Sequence, residues 1–412
     1  LRASSHNSTS RISALSKRYT VCRLKIGQSD QMDTLARASG ELYSRIVTSY
    51  WRTVSHKGLW LKAKHLMRWH TSDALHAHTA DACVQSFFAA MDSWRARRTV
   101  DVDAHPPRRR RYYYRVQWKA SAIRVKGDSL YLANGRGNAP LIVPWAHGVP
   151  VQVEMGWDGR QYELRATYVV ESAAAVLVED AKVAGVDLGE IHPAVAHDGA
   201  RATIMNGRHL RAVRRYQNKT TGKLQALLDR KRKGSRRWKR LIQSKKRQQR
   251  RWEHQIKDIA HKITSNLVST LHENGVQTVA IGDIRDIRKR VDVGHTGNQR
   301  IHQMPSGMIR HMVTYKAERL GLVVVMQDER YTSQTCPACQ ARHKPRGRVY
   351  RCKLCGFTMH RDAVGAFNIR QKYLGAIPVV GVMASPTVGV RYHAHLPRSP
   401  LSQGWRERIP AL

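Results

Sequence analysis

Tyr19-Thr-Val-Cys-Arg-Leu-Lys-Ile26 alternates apolar and polar residues, the period-two pattern of a strand, and Gly27-Gln-Ser-Asp30 breaks it. From about 31 to 100 the period changes. Leu35, Leu42, Ile46, Leu61, Leu66, Leu75, Val84, Phe87, Phe88 and Met91 recur at spacings that suit amphipathic helices, and Pro106-Pro107 closes the segment. Alternation returns between Val116 and Val170, in Ser129–Leu132, Leu141–Val143, Val149–Met155 and Tyr162–Val169. Gly and Pro separate these runs as they do in a small antiparallel β-barrel. The strand at 19–26 completes that barrel, which makes the helical segment an insertion.

Downstream, Val183-Ala-Gly-Val-Asp187, Ala194–Ala196 and Ala202–Met205 give three short strand signals, followed by a long helical stretch from about Arg208 to Glu273. A buried strand at Val276–Asp283, a helix near Ser306–Leu320, another strand at Val323–Met326 and a helix opening near Arg361 complete the order. That order is the one found in RNase H-like cores. The expected architecture is therefore an α+β multidomain chain. A flexible leader (1–18) precedes the first part of the barrel (19–30), a helical domain (31–105) and the rest of the barrel (106–178). An RNase H-like core (179–330) with a helical insertion (208–275) follows, then a cysteine-bearing segment (331–358) and the last core helix (359–372). The remaining residues, 373–412, hold five of the chain's 14 prolines and read as a loosely ordered tail.

Charge narrows the function. Across 412 residues, 72 Lys and Arg face 30 Asp and Glu, a formal net charge of +42. Self-repulsion of that size calls for a polyanionic partner, because binding phosphates releases counterions. No stretch approaches the roughly 18–20 continuous apolar residues that span a bilayer, so the expected partner is nucleic acid, with no membrane, in the cytoplasm. The Ser- and Arg-rich start loosely resembles an organelle transit peptide, but a solvated leader is the preferred reading.

The basic residues cluster. Residues 208–251 hold 19 Lys or Arg and one acid, Asp229. A one-signed helix face of this density is costly without phosphate. The nucleic-acid contacts expected there are Arg230, Lys231, Arg232, Lys233, Arg236, Arg237, Lys239, Arg240, Lys245, Lys246, Arg247, Arg250 and Arg251. A second site is Arg108, Arg109, Arg110 and Arg111 with Tyr112–Tyr114, suited to gripping phosphates and stacking on bases, although an edge strand with outward arginines fits it nearly as well.

Four of the six cysteines form two C-x-x-C pairs, Cys336/Cys339 and Cys352/Cys355, with 12 residues between the pairs. Two such knuckles supply four thiolates to one tetrahedral Zn²⁺, and Gly356 permits the turn after the last ligand. Cys22 and Cys83 stand apart.

Three acids end elements of the core. Asp187 closes Val-Ala-Gly-Val-Asp, Asp283 closes Val279-Ala-Ile-Gly-Asp, and Asp362 opens the last helix. Alone, Asp283 or Asp362 reads as a cap. Together the three are the catalytic candidates, ligands for two Mg²⁺ ions in phosphodiester hydrolysis.

Val186-Asp-Leu-Gly189, Tyr331-Thr-Ser-Gln-Thr-Cys-Pro-x-Cys339, Arg361-Asp362 and Ala366-x-Asn-Ile369, in this order, resemble the RuvC and zinc-ribbon signatures of the TnpB family and its compact type V CRISPR relatives. The likeness covers about 181–370 closely and rests on domain order upstream. It implies an RNA-guided DNA endonuclease that binds a guide RNA, opens double-stranded target DNA beside a short flanking motif and cuts with one RuvC site, the first 175 residues being recognition and wedge regions. One position departs: the family's middle acid is a Glu, and Gly282 stands there. Asp283 is the expected replacement, with Asp286 behind it. Should the site be incomplete, a guided DNA-binding repressor with a silent nuclease is the alternative.

Overall fold

The computed structural model describes residues 18–110, 112–170, 181–284, 292–345 and 347–375, and the backbone of 390–393. The expected leader and Arg111 therefore lie outside the described residues, apart from Arg18, where the first strand begins. The chain divides into two units, one built from the first 172 residues and one from 173 to 400.

In the first unit β1 (Arg18–Ile26) leads into α1 (Asp30–Lys57), α2 (Ala63–Trp69) and α3 (Ala77–Arg98). Ser29 caps α1 by accepting from Met32 N–H, and Gly58 stops it at φ +62°, a left-handed geometry that glycine takes without strain. The chain then returns through β2 (Val116–Lys119), β3 (Ile123–Lys126), β4 (Ser129–Leu132), β5 (Leu141–Pro144), β6 (Gln152–Trp157) and β7 (Tyr162–Val170). The first strand joins the late ones as expected, pairing antiparallel with β7 from Arg18–Val170 to Ile26–Tyr162. The helices are thus an insertion between paired strands. The barrel is open, however: its strands hydrogen-bond as two sheets, β1-β7-β6-β2 and β3-β4-β5. A 3₁₀ turn at Ala120–Ala122 ends β2 and starts β3, so the chain changes sheet at a corner while both sheets share one core with Tyr43, Tyr50 and Phe87 of the helices.

In the second unit β8 (Val183–Asp187), β9 (Ala194–His197) and β10 (Ala202–Met205) form an antiparallel meander. Helices α4 (Arg208–Asp229) and α5 (Arg236–Glu273) follow and pack on one another, then β11 (Thr278–Gly282), α6 (Gly294–Gln303), α7 (Ser306–Arg319) and β12 (Val323–Gln327). β13 (Val349–Arg351) and β14 (Thr358–His360) are a hairpin, and α8 (Arg361–Leu374) and β15 (Val390–His393) end the described chain. Six strands make one sheet in the order β12-β11-β8-β9-β10-β15, with β11 parallel to both β8 and β12. Part of the expected tail is therefore structured, since β15 pairs parallel with β10 from Ala202–Val390 to Met205–His393. Four residues between proline-rich flanks are too short to register as a strand by period alone.

Two layers cover this sheet. Beneath it, Ile256, Ile259, Ile263, Leu267 and Leu271 of α5 and Ile309, Met312 and Val313 of α7 pack with Ala184, Val186, Val279 and Ile281. Above it, α8 packs through Ala363, Val364 and Ala366 against Val195, Ala202 and Ile204, together with Tyr350 and Met359 of the cysteine-bearing segment. Among the described residues no helix is long and apolar enough to cross a membrane.

Candidate active site

Successive side chains of a strand point to opposite faces. Ala184 and Val186 enter the lower core, so Gly185 and Asp187 face α8. Helix α8 comes so close that a Cβ on Gly185 would run into the Ala366 carbonyl and lie 2.5 Å from Arg370 N. Only glycine fits there. The same approach puts Asp187 Oδ2 2.8 Å from where a Cβ on Gly365 would be, so small residues on both elements lodge the carboxylate against the helix.

Asp362 sits in the first turn of α8, where helix N–H dipoles favour an anion. Its Oδ2 lies 2.7 Å from His192 Nδ1 and 3.3 Å from Arg348 Nη1, and its backbone N–H donates to His360 Nδ1 at 3.3 Å. Burial opposes ionisation, but the His192 hydrogen bond and the charges of Arg348 and His360 hold Asp362 below the usual carboxylate range. Asp187 behaves oppositely. Burial first, then the nearby carboxylates of Glu329 and Asp362, push its pKa up to about 8. Glu329, in the loop after β12, is pushed up to about 7 by burial and by Asp283 and Asp328. Asp187 and Glu329, buried and set near other carboxylates, are a donor set of hard oxygens whose repulsion a divalent cation relieves. The residues thus fit Mg²⁺.

Asp283 leaves the same sheet edge but pairs with Arg310 of α7, Nη1 to Oδ1 3.5 Å, and Asp286 lies outside the described residues. Sequence reasoning missed Glu329 because it sits two residues beyond an apolar strand in Gln327-Asp-Glu-Arg330 and belongs to no motif. The one clue was an acid after β12 facing a glycine at the end of β11. His192 was missed too, since its partner is 170 residues away in sequence.

The four cysteine sulfurs cluster, each within 4.8 Å of the others. Cys336 Sγ to Cys355 Sγ is 3.6 Å and Cys339 Sγ to Cys352 Sγ is 3.5 Å. Sulfurs about 2.3 Å from a tetrahedral Zn²⁺ lie about 3.8 Å apart, so this set fits zinc. In each knuckle an N–H closes the turn, Gln340 onto Cys336 O at 3.0 Å and Gly356 onto Cys352 O at 3.1 Å, both residues at positive φ. Burial opposes ionisation of Cys352, but the N–H groups of Cys355 and Leu354 lower its thiol pKa, while burial raises those of Cys336 and Cys339 in the same cluster.

The predicted basic contacts divide. Ser235 caps α5 after a turn at Gly234 (φ +89°), and Arg232, Lys233, Arg236, Arg237, Lys239 and Arg240 are exposed around that tip of the α4–α5 hairpin, with Lys246, Arg247 and Arg251 exposed further along α5. Arg230 is exposed beside them, while Lys231, Lys245 and Arg250 are half-buried. None of these side chains has a carboxylate partner among the described residues. A cleft of about 570 Å³ lies at the root of the hairpin, with Gly189 and Glu190 just after Asp187 on one side and Arg208, Arg211, Arg215 and Arg300 on its other walls. In the first unit Arg108, Arg109 and Arg110 are exposed, and Arg110 also has structural contacts, its guanidinium over the rings of Tyr43 and Tyr114 and its backbone N–H donating to Ser44 Oγ at 3.0 Å.

Known proteins match both regions of the second unit. Residues 164–288 match the family described as Probable transposase, and 307–369 the family described as Cas12f1-like, TNB domain. TnpB-like protein ORF457 of Acidianus two-tailed virus is 26% identical over 240 residues, 57% of this chain and 51% of that protein. CRISPR-associated endodeoxyribonuclease Cas12f1 of Sulfoacidibacillus thermotolerans is 26% identical over 112 residues, 26% of this chain and 25% of that one. The matched region thus spans about half or less of these relatives' length. In fold, a cryo-EM structure of a Cas12f1-sgRNA-target DNA complex has a TM-score of 0.55 to this chain at 12% identity, covering 82% of this chain and 81% of that one. In its second half the chain is thus similar to TnpB-like proteins and to Cas12f1.

Proposed function

We propose that this protein is an RNA-guided DNA endonuclease with a single RuvC-type site on an RNase H-like sheet. The observation that carries the reading is the gathering of Asp187, Asp362 and Glu329 where the sheet meets α8. Carboxylates brought together at such cost serve no packing purpose. Asp187 and Asp362 would hold Mg²⁺, with Asp283 and Glu329 leaving the same edge. Bound there, two such ions supply an activated water and neutralise charge on the departing oxygen.

The chain's own residues do the rest. His192 and Arg348 fix the Asp362 carboxylate, as partners of a metal ligand commonly do. Arg208, Arg215 and Arg300 of the cleft would bind backbone phosphate through charge-assisted hydrogen bonds. The exposed tip of the α4–α5 hairpin reads backbone phosphate and not bases, as expected of a surface that holds a guide RNA or its heteroduplex while base pairing reads sequence. Zn²⁺ held by Cys336, Cys339, Cys352 and Cys355 would be structural, fastening the ribbon to α8.

The protein should copurify with one RNA species, and that RNA should direct Mg²⁺-dependent cutting of a matched duplex drawn from a library with randomised flanks. Asp362→Ala should keep the RNA and the target while losing the cut. Cutting that ignores RNA sequence, or persists in Asp362→Ala, would overturn the proposal, and so would target retention by wild-type protein without any cut.

A further inference from the structure

We propose that Glu329, and not Asp283, is the third carboxylate of the metal site, the acid having moved from the end of β11 to the loop after β12. This inference rests on the proposed nuclease reading and concerns which of this chain's residues completes the site.

Strand parity is the first argument. β8 and β11 run parallel with Val186 beside Ile281, and both side chains enter the lower core. The next residues, Asp187 and Gly282, therefore face α8 together. A Cβ on Gly282 would lie 2.9 Å from Ile369 Cδ1 of that helix. Asp283 is the first residue past the end of β11. It pairs with Arg310 of α7, a helix of the lower layer.

The second argument is space. Glu329 Oε2 lies 2.7 Å from where a Cβ on Gly282 would begin. The carboxylate occupies the volume that a side chain at 282 would enter, on the face that Asp187 uses. A side chain at 282 and the side chain of Glu329 would reach one place from two neighbouring strands. Gly282 is the residue that makes room.

The third argument is rigidity, because a metal ligand on a free loop would lose much of its affinity to ordering. This loop is gripped from α8, the helix that carries Asp362. Asn368 Nδ2 donates to Thr332 O at 2.7 Å and Thr335 O at 2.8 Å, and Lys372 Nζ donates to Arg330 O at 2.7 Å and Asp328 O at 3.3 Å. Thr332 in turn donates to Glu329 O from its N–H at 3.1 Å and from Oγ1 at 2.8 Å. One helix thus presents one acid directly and holds a second from both sides.

The test is cation binding to the protein with its copurified RNA, read by Mn²⁺ paramagnetic resonance and by calorimetry with Mg²⁺, alongside cutting. Glu329→Gln should weaken binding at least tenfold and stop cutting without lowering Tm in the absence of cation, whereas Asp283→Asn should change affinity by less than threefold. The double variant Gly282→Glu/Glu329→Ala should recover affinity and part of the cutting, since it returns the acid to β11 and clears its space. A purely structural role for Glu329 would not be rescued from another strand. Loss of cation affinity in Asp283→Asn but not in Glu329→Gln would overturn this inference and leave the nuclease reading intact. Unchanged binding and cutting in Asp187→Ala would overturn the nuclease reading itself.

Discussion

On its α7 side the six-stranded sheet offers Ala184, Val186, Val279 and Ile281 to an apolar core, while on its α8 side the same strands offer Gly185, Asp187 and Gly282. The lower face follows ordinary packing, with branched side chains filling the space between layers. The upper face gives up side-chain volume at two glycines so that a helix and two carboxylates can approach backbone. Neighbouring residues on one strand thus serve opposite ends. What one face contributes in stability the other spends on crowding charge.

Substitutions one residue apart should separate these roles. Asp187→Ala should lower guided cutting by on the order of 10³ or more while leaving the cation-free Tm unchanged or raised, because it removes an acid whose neighbours repel it. Cutting assays and calorimetry on the same preparation decide this, and a collapse in Tm would show the two faces are not separable. Ile281→Ala is the counterpart. It should cost about 3 kcal/mol, the usual range for truncating a fully buried aliphatic side chain, with cation affinity of the folded protein preserved. Denaturant melts and Mn²⁺ titration check the pair.

Gly185→Ala lies between these extremes, since its new methyl meets α8 backbone that cannot move aside as a side chain would. An overpacking cost of about 2 kcal/mol is expected, and cation binding should weaken with it because α8 carries Asp362. Loss of stability without loss of binding would mean that α8 shifts as a body and keeps the site.

A pH-dependent effect belongs to the lower face. Lys316 on α7 is buried, and its Nζ donates to His261 O, Thr264 Oγ1 and Ser265 Oγ at 2.7, 2.7 and 2.8 Å. Burial pushes its pKa down to about 7. Between about pH 7 and the ordinary lysine range near 10.4 the unfolded chain binds more protons than the folded one, so stability should rise with pH there, and below pH 7 the slope from this group vanishes. Tm measured from pH 7 to 10 should show that rise in wild-type protein and lose it in Lys316→Met.

How much of this was legible in the sequence depended on distance along the chain. The four-cysteine cluster declares itself because each knuckle is local, four residues whose C-x-x-C spacing brings the sulfurs together. Asp187 was legible as an acid ending an apolar strand, and Asp362 from its place after the cysteines. The strands of the sheet were found by period, apart from β15. Beyond that the sequence is silent, because face is set by pairing register and not by composition. Asp283 and Gly282 are adjacent letters, and only the Val186–Ile281 pairing tells which of them looks toward Asp187. The half-buried Glu329 and its grip by Asn368 and Lys372 join segments some 36 to 44 residues apart, which no local pattern encodes.

Gly282 has a meaning for how relatives of this chain are compared. Aligned letter by letter, a protein with glycine at that position shows no acid at the end of β11. Compared by location, and with Glu329 as the proposed third carboxylate, the same place would be filled from the loop after the neighbouring strand, and the glycine would be what makes room for it. Chains that pair a small residue at the end of β11 with an acid two residues past β12 should then be counted as competent, and chains that have the small residue alone as dead.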